Sequence, residues 1–480
     1  MNIFCSRNKF SFLLSFSLCL LVFLCSSPSV LFAQAAAAKE HADLLVSGGT
    51  VITMDAQRRV LDDGAVAVRG DTVVAVGPRA ELEARFAAAR QIDARGKLVM
   101  PGLINGHQHA AMALFRGLAD DLALNDWLHN YIFPAEARNV TQDFVTWGTR
   151  LGVLEMLRGG TTTYADMYYF EDSVARATKE AGMRGVLGET IIDFPVPDNK
   201  TPSQALAYTE DYIKRWKSDG LITPAIAPHS IYTCSEKTLQ DSAALARRYG
   251  VPLLTHVAEA RFEGDQSRAK YGLSPVAYLE NIGLLGPDMV AAHCVWVDAG
   301  DIVLLTSRGV GCVHNPSSNM KLASGVSPVV DMLAGGVRVG LGTDGAASNN
   351  DLDMFEEMDI AAKLQKIARM DPRALPAEQV VEMATIGGAR ALHMEKEIGS
   401  LEPGKKADLI IVATGAPHST PLYNVYSQLV YALKASDVDA VVIAGRPVME
   451  NRRMLTLDED AILAKAREYA KKIQLSLAAK

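Results

Sequence analysis

Two histidines one residue apart, His107 and His109, close the stretch Pro101-Gly102-Leu103-Ile104-Asn105-Gly106-His107-Gln108-His109. An apolar run, Lys97-Leu98-Val99-Met100, precedes them and reads as a strand. Side chains at i and i+2 of a strand point the same way, so the two imidazoles project together and form half of a metal site. Alone, such a pair is more often two polar loop residues. Three further stretches change that reading: Thr255-His256-Val257-Ala258-Glu259, Ala291-Ala292-His293-Cys294 and Gly342-Thr343-Asp344-Gly345, each at the C-terminal end of an apolar run. Nitrogen and oxygen donors of this kind suit Zn²⁺, or else Fe²⁺. One divalent ion held by His107, His109, His256 and Asp344 keeps a position for water and acidifies it. Glu259, three residues past His256, reaches the same mouth as a proton shuttle, while His293 and Asp344 orient and deprotonate the water. A zinc site with a non-ligand glutamate is the arrangement that deaminates nucleobases. Singly, His293 reads as a core histidine, Asp344 as a turn former and Glu259 as a helix start. Jointly those readings require a coincidence at every strand end. His41, His129, His393 and His418 lack that context and read as structural or surface residues.

The elements that position these residues alternate. From residue 100 to 398, apolar strand-like runs ending near His107, Asp166, Thr190, His229, His256, His293, His314 and Asp344 are separated by helical patterns. Those patterns include Phe144–Arg158, Ser173–Ala181, Ser203–Trp216 and Ser235–Tyr249. Eight such units predict an α/β fold, a (β/α)₈ TIM-type barrel whose site lies at the C-terminal strand ends. Strand four, Thr223-Pro224-Ala225-Ile226-Ala227-Pro228-His229, carries no lysine to bridge a second ion, which favours one metal. Residues 42–99 read instead as short strands and turns, and the same flavour returns over 399–455. This predicts one small composite β-sandwich built from both chain ends. Residues 456–480 read as a closing helix.

The 480 residues carry a formal net charge of −7, long enough for a barrel plus a small domain and too acidic for a nucleic-acid partner. Arg7 and Lys9, an apolar run from Phe10 to Cys25, and Ala33-Gln34-Ala35 read as a signal peptide over 1–35, hence an exported protein, periplasmic or secreted. The rival is an uncleaved membrane anchor, for which the run is short. No stable span is expected after cleavage. Cys5, Cys19 and Cys25 fall in the leader; Cys234, Cys294 and Cys312 read as buried free thiols.

The joint pattern of Pro101–His109, His256-Val257-Ala258-Glu259, His293-Cys294, His314-Asn315-Pro316-Ser317-Ser318-Asn319 and Gly342–Asn350 resembles the amidohydrolase superfamily. Within it the chain is similar to the 5-methylthioadenosine/S-adenosylhomocysteine deaminases. The resemblance implies a metal-bearing barrel beside a composite sandwich. It also implies hydrolytic loss of ammonia from C6 of an adenine nucleoside: methylthioadenosine, 5′-deoxyadenosine, adenosine or S-adenosylhomocysteine. It places Glu136 on the ribose hydroxyls, Trp127 in the pocket wall and His229 against substrate. On strand three the family often carries an arginine suited to a substrate carboxylate, and the aligned position here is Glu189. If Glu189 faces the pocket, it repels a homocysteine carboxylate. The second reading is the same chemistry, or a chlorohydrolase reaction, on another N-heterocycle such as guanine, a pterin, cytosine or an s-triazine. A third is a non-catalytic exported binding protein. Barrels of this kind commonly form homo-oligomers, and no feature of the sequence selects a number.

Overall fold

The computed structural model describes residues 38–478, so the predicted signal peptide lies outside the described residues. Eight parallel strands pair in chain order: β1 (Leu103–Gln108), β2 (Thr161–Tyr168), β3 (Arg184–Ile191), β4 (Ile222–Pro228), β5 (Leu253–Val257), β6 (Met289–His293), β7 (Gly311–His314) and β8 (Arg338–Leu341). Every residue of β2 and β3 is buried, as expected of strands covered on both faces. The chain just past β8 is stitched back to β1. The Asp344 N–H donates to the His107 carbonyl and the Thr343 N–H to Asn105 Oδ1, both at 3.0 Å. Ring closure therefore brings Asp344 to the histidines at the end of β1.

The connecting helices begin where short polar side chains cap them and end where glycine adopts a left-handed conformation. Thr141, Thr201 and Ser235 accept N–H bonds from Phe144, Gln204 and Thr238. Gly182, Gly250 and Gly309 close three helices at positive φ. The resulting spans, Gln142–Arg158, Glu171–Ala181, Pro202–Trp216 and Glu236–Tyr249, contain or closely match the predicted ones. The closing helix runs over Glu459–Ala478, with Tyr469 edge-on to Phe144 at 5.5 Å between ring centroids.

Both chain ends build a second sheet of nine strands. Its order runs Arg453–Met454, Arg446–Glu450, Val438–Ile443, Leu409–Ala413, Lys97–Pro101, Glu40–Ile52, Val60–Arg69 and Thr72–Pro78, with Phe86–Asp93 also paired to Glu40–Ile52. The two layers of the expected sandwich are thus one hydrogen-bonded sheet folded over a shared core of Val51, Val66, Val73, Leu409, Ile411 and Val442. Register shifts near Gly49 let Glu40–Ile52 bend and pair with two partners along one edge. Arg184, first residue of β3, ties this sheet to the barrel. Its Nε donates to Asp408 Oδ2 at 2.8 Å, and both side chains are about 3% exposed.

One expectation changes here. The run Lys97–Pro101 belongs to this sheet, and a separate strand, β1, carries His107, with His109 just past its end. The break falls at Gly102, where a Cβ would sit 2.1 Å from the Thr162 side chain. Among the described residues, no helix is long and apolar enough to cross a membrane.

Candidate active site

At the C-terminal strand ends, His107, His109 and Asp344 place one donor atom each within 4.8 Å of one another, and so do His107, His256 and His293. Asp344 Oδ1 lies 3.3 Å from His109 Nε2 and 3.5 Å from His107 Nε2, and His256 Nε2 lies 3.4 Å from His109 Nε2. Two of these rings are locked from behind. The Nδ1 of His109 meets the Met167 carbonyl at 2.6 Å, and that of His256 meets the His229 carbonyl at 2.8 Å. A carbonyl only accepts, so each Nδ1 carries the proton and each Nε2 turns a lone pair to the centre. His107 Nε2 is buried and makes no hydrogen bond. Three convergent imidazole nitrogens and a carboxylate, one of them orphaned, fit a divalent ion.

Asp344 is aimed by its neighbours. Its Oδ2 accepts from Ser318 Oγ at 2.6 Å and Ser348 Oγ at 2.9 Å, and Oδ1 accepts the Gly345 N–H at 2.7 Å. Burial opposes ionisation, but the contacts to His107 and His109 hold its carboxyl well below the usual range. His293 Nδ1 donates to Asn319 Oδ1 at 2.9 Å, and its Nε2 faces Glu259 Oε2 at 3.8 Å. Burial, reinforced by Asp344, pushes Glu259 up to about 8. The chain leaves the strands here through strained residues: His293 and Asp344 have φ of 74° and 63°.

These groups form one side of a cavity that opens at the C-terminal ends of the strands. The opposite wall comes from the long connection after β1. It contributes Leu124, Leu128, Phe133 and, from a π-helical turn over Trp127–Ile132, Trp127. Glu136, on the helix Phe133–Asn139, lines the same cavity. Its Oε1 accepts from Tyr168 OH at 2.8 Å and its Oε2 from Tyr169 OH at 3.3 Å. Burial pushes Glu136 up to about 7, against the pull of the Tyr168 bond. His229 lines the cavity too, and burial among the other histidines lowers it to about 3, so it is neutral.

Glu189 is the exception. It is fully buried and absent from the cavity wall, whereas Thr190 beside it lines that wall. Neighbours on a strand face opposite sides. Glu189 therefore points outward, where Oε2 accepts the Glu171 N–H and Oε1 the Asn199 Nδ2, both at 3.0 Å. Burial, with Asp198 nearby, pushes its carboxyl far up. It does not line the cavity. Ser318, Ser348, Tyr168, Tyr169 and Tyr232 are the site residues that the sequence reading did not assign. Ser318 and Asn319 sat inside the quoted His314–Asn319 motif, which was the available signal. The tyrosines carried none.

Residues 98–448 match the family profile described as Amidohydrolase family, and residues 64–89 match an imidazolonepropionase-like composite domain of bacteria. The chain is 53% identical over 434 residues to a 5-methylthioadenosine/S-adenosylhomocysteine deaminase of Syntrophobacter fumaroxidans, covering 90% of this chain and 99% of the relative. It is 44% identical to a 5′-deoxyadenosine deaminase of Methanosarcina acetivorans, covering 90% and 98%. Among solved structures, an adenosine deaminase from Xanthomonas campestris with bound zinc superposes with a TM-score of 0.90 at 41% identity, covering 91% of this chain and 100% of that one.

Proposed function

Because the chain belongs to the amidohydrolase family, we propose that it is the hydrolytic deaminase of a small adenine nucleoside, 5-methylthioadenosine or 5′-deoxyadenosine before S-adenosylhomocysteine. It is a hydrolase of carbon–nitrogen bonds in cyclic amidines. Water adds at C6, the bond to the exocyclic nitrogen breaks, and ammonia leaves a hypoxanthine product. His107, His109, His256 and Asp344 would hold one divalent ion, with zinc preferred for its fit to imidazole and carboxylate donors. When bound, that ion supplies an acidified water as nucleophile. His293 and Asp344 orient the water, and Glu259 carries its proton to the departing nitrogen.

The observation that carries the nucleoside reading is Glu136, a buried carboxylate on the wall that faces the histidines, with lone pairs left for a ribose diol. The preference within the nucleosides rests on the rest of that wall. Among the described residues, no lysine or arginine lines the cavity, while Leu124, Trp127, Leu128 and Phe133 do. A methylthio or deoxy group suits such a wall, and a homocysteine carboxylate finds no cation. A hydrogen bond to a charged group contributes about 1.5–3 kcal/mol, so kcat/KM for S-adenosylhomocysteine is expected about tenfold or more below that for methylthioadenosine. The test is ammonia release by the zinc-loaded protein from both, with 5′-deoxyadenosine, adenosine, guanine, cytosine and melamine beside them. Equal specificity constants would refute the preference. Turnover of only a free base or triazine would refute the nucleoside reading.

A further inference from the structure

Strand β5 ends at Val257, and Glu259 must leave the strand direction to enter the cavity. The chain turns at Ala258, which is left-handed with φ 50°. That conformation is strained for a non-glycine residue. It also makes consecutive N–H groups converge on one side, where an anion can receive both. Here the anion is a side chain of the protein. The Ala258 N–H donates to Glu263 Oε1 and the Glu259 N–H to Glu263 Oε2, each at 2.9 Å. Glu263 lies in the first turn of the helix Arg261–Tyr271 and is 1% exposed. On the other side, the Ala258 carbonyl accepts the N–H groups of Val295 and Trp296 at 3.1 and 2.8 Å, just past His293.

We propose that Glu263 is the positioning residue for Glu259: it holds the left-handed turn at Ala258, and through it the Glu259 carboxylate against His293. The inference rests on Glu259 acting as the proton shuttle. Glu263 does not line the catalytic cavity and touches no reacting atom; it borders a separate cleft with Tyr232, Ser267 and Lys270. Its two bonds span the residue that turns the chain and the residue that moves the proton. Losing either frees a turn that is already strained, and a misplacement of about 1 Å at a reacting group costs on the order of a hundredfold in rate.

The test is Glu263→Gln, in which one acceptor oxygen becomes an amide NH₂ facing an N–H. With adenosine or methylthioadenosine, kcat is expected to fall about 10- to 100-fold while KM moves less than about threefold and bound zinc is unchanged. Ala258→Gly in the same background should restore most of the lost kcat, because glycine adopts φ 50° without a carboxylate to hold it. A merely structural role predicts a lower Tm with normal kcat and no such rescue. Should the glutamine variant fail to fold, Glu263→Asp keeps the carboxyl group but withdraws it, and the same kcat loss is expected. Hydrogen exchange supplies a readout independent of turnover: the Ala258 and Glu259 amides should exchange faster in the variant. A wild-type protein silent on every nucleoside would discard the proposed function, and exchange would still decide the role of Glu263. Wild-type kcat, a loss that glycine does not rescue, or unchanged exchange would overturn the proposal.

Discussion

Replacing Glu136 by glutamine keeps the size of the side chain and its place between Tyr168 and Tyr169 but removes the charge and one acceptor oxygen. In the wild type each carboxylate oxygen accepts one tyrosine hydroxyl, at 2.8 and 3.3 Å. A carboxylate has about four acceptor sites, so each oxygen retains one for a ribose hydroxyl. A bond of that kind contributes about 1.5–3 kcal/mol. At about 1.4 kcal/mol per factor of ten, Glu136→Gln should lower kcat/KM for adenosine about 10- to 150-fold, mainly through KM. The pH dependence follows from the same group. Burial pushes Glu136 up to about 7, so below that pH it is protonated and has lost the charge and one acceptor; above it, both oxygens accept. For a ribonucleoside, kcat/KM should therefore rise with pH until about 7 and level off, and the variant should lose that limb. The assay is ammonia release on either side of pH 7, with adenosine and 2′,3′-dideoxyadenosine in parallel. The dideoxy substrate has no diol to read, so any limb it shares with adenosine belongs to other groups. A variant that loses as much on the dideoxy substrate as on adenosine would refute the ribose assignment.

Two more outcomes follow from the site. Glu259→Gln should lower kcat about 10²- to 10⁴-fold with KM little changed, because proton transfer is lost while the cavity keeps its shape; wild-type kcat would remove Glu259 from the mechanism. Dialysis against a chelator should abolish turnover, with zinc restoring it. It should also lower Tm, since an ion at a hundredfold excess over its Kd contributes about 2.7 kcal/mol to the folded state; full activity in protein shown by metal analysis to be ion-free would refute the metal role.

How much of this was legible in the sequence depends on what kind of fact each residue encodes. Strand ends were readable because parallel barrel strands are continuous apolar runs, and a His or Asp at the end of one stands out. Helix starts were readable to within about two residues, and the caps Thr141, Thr201 and Ser235 fix where the chain enters each helix. The strand Phe86–Asp93 was not, since five of its residues are exposed and its pattern is mostly alanine and polar groups. Which side of a wall a residue faces is a different kind of fact. Glu189 and Thr190 are neighbours at the end of β3, and a one-residue difference in phase separates a cavity-lining position from a buried acid bonded to Asn199 and Glu171. That phase also changes the physics of substrate choice. With Glu189 in the pocket, the homocysteine carboxylate would meet a buried like charge. With Glu189 outside, it meets only the lack of a cation on an apolar wall. The first would reject S-adenosylhomocysteine almost completely. The second lowers its rate by the worth of a missing bond, and leaves room for slow but measurable turnover. A small, nonzero specificity constant for S-adenosylhomocysteine is therefore what this cavity predicts, and adding one arginine to the wall should raise it without disturbing methylthioadenosine.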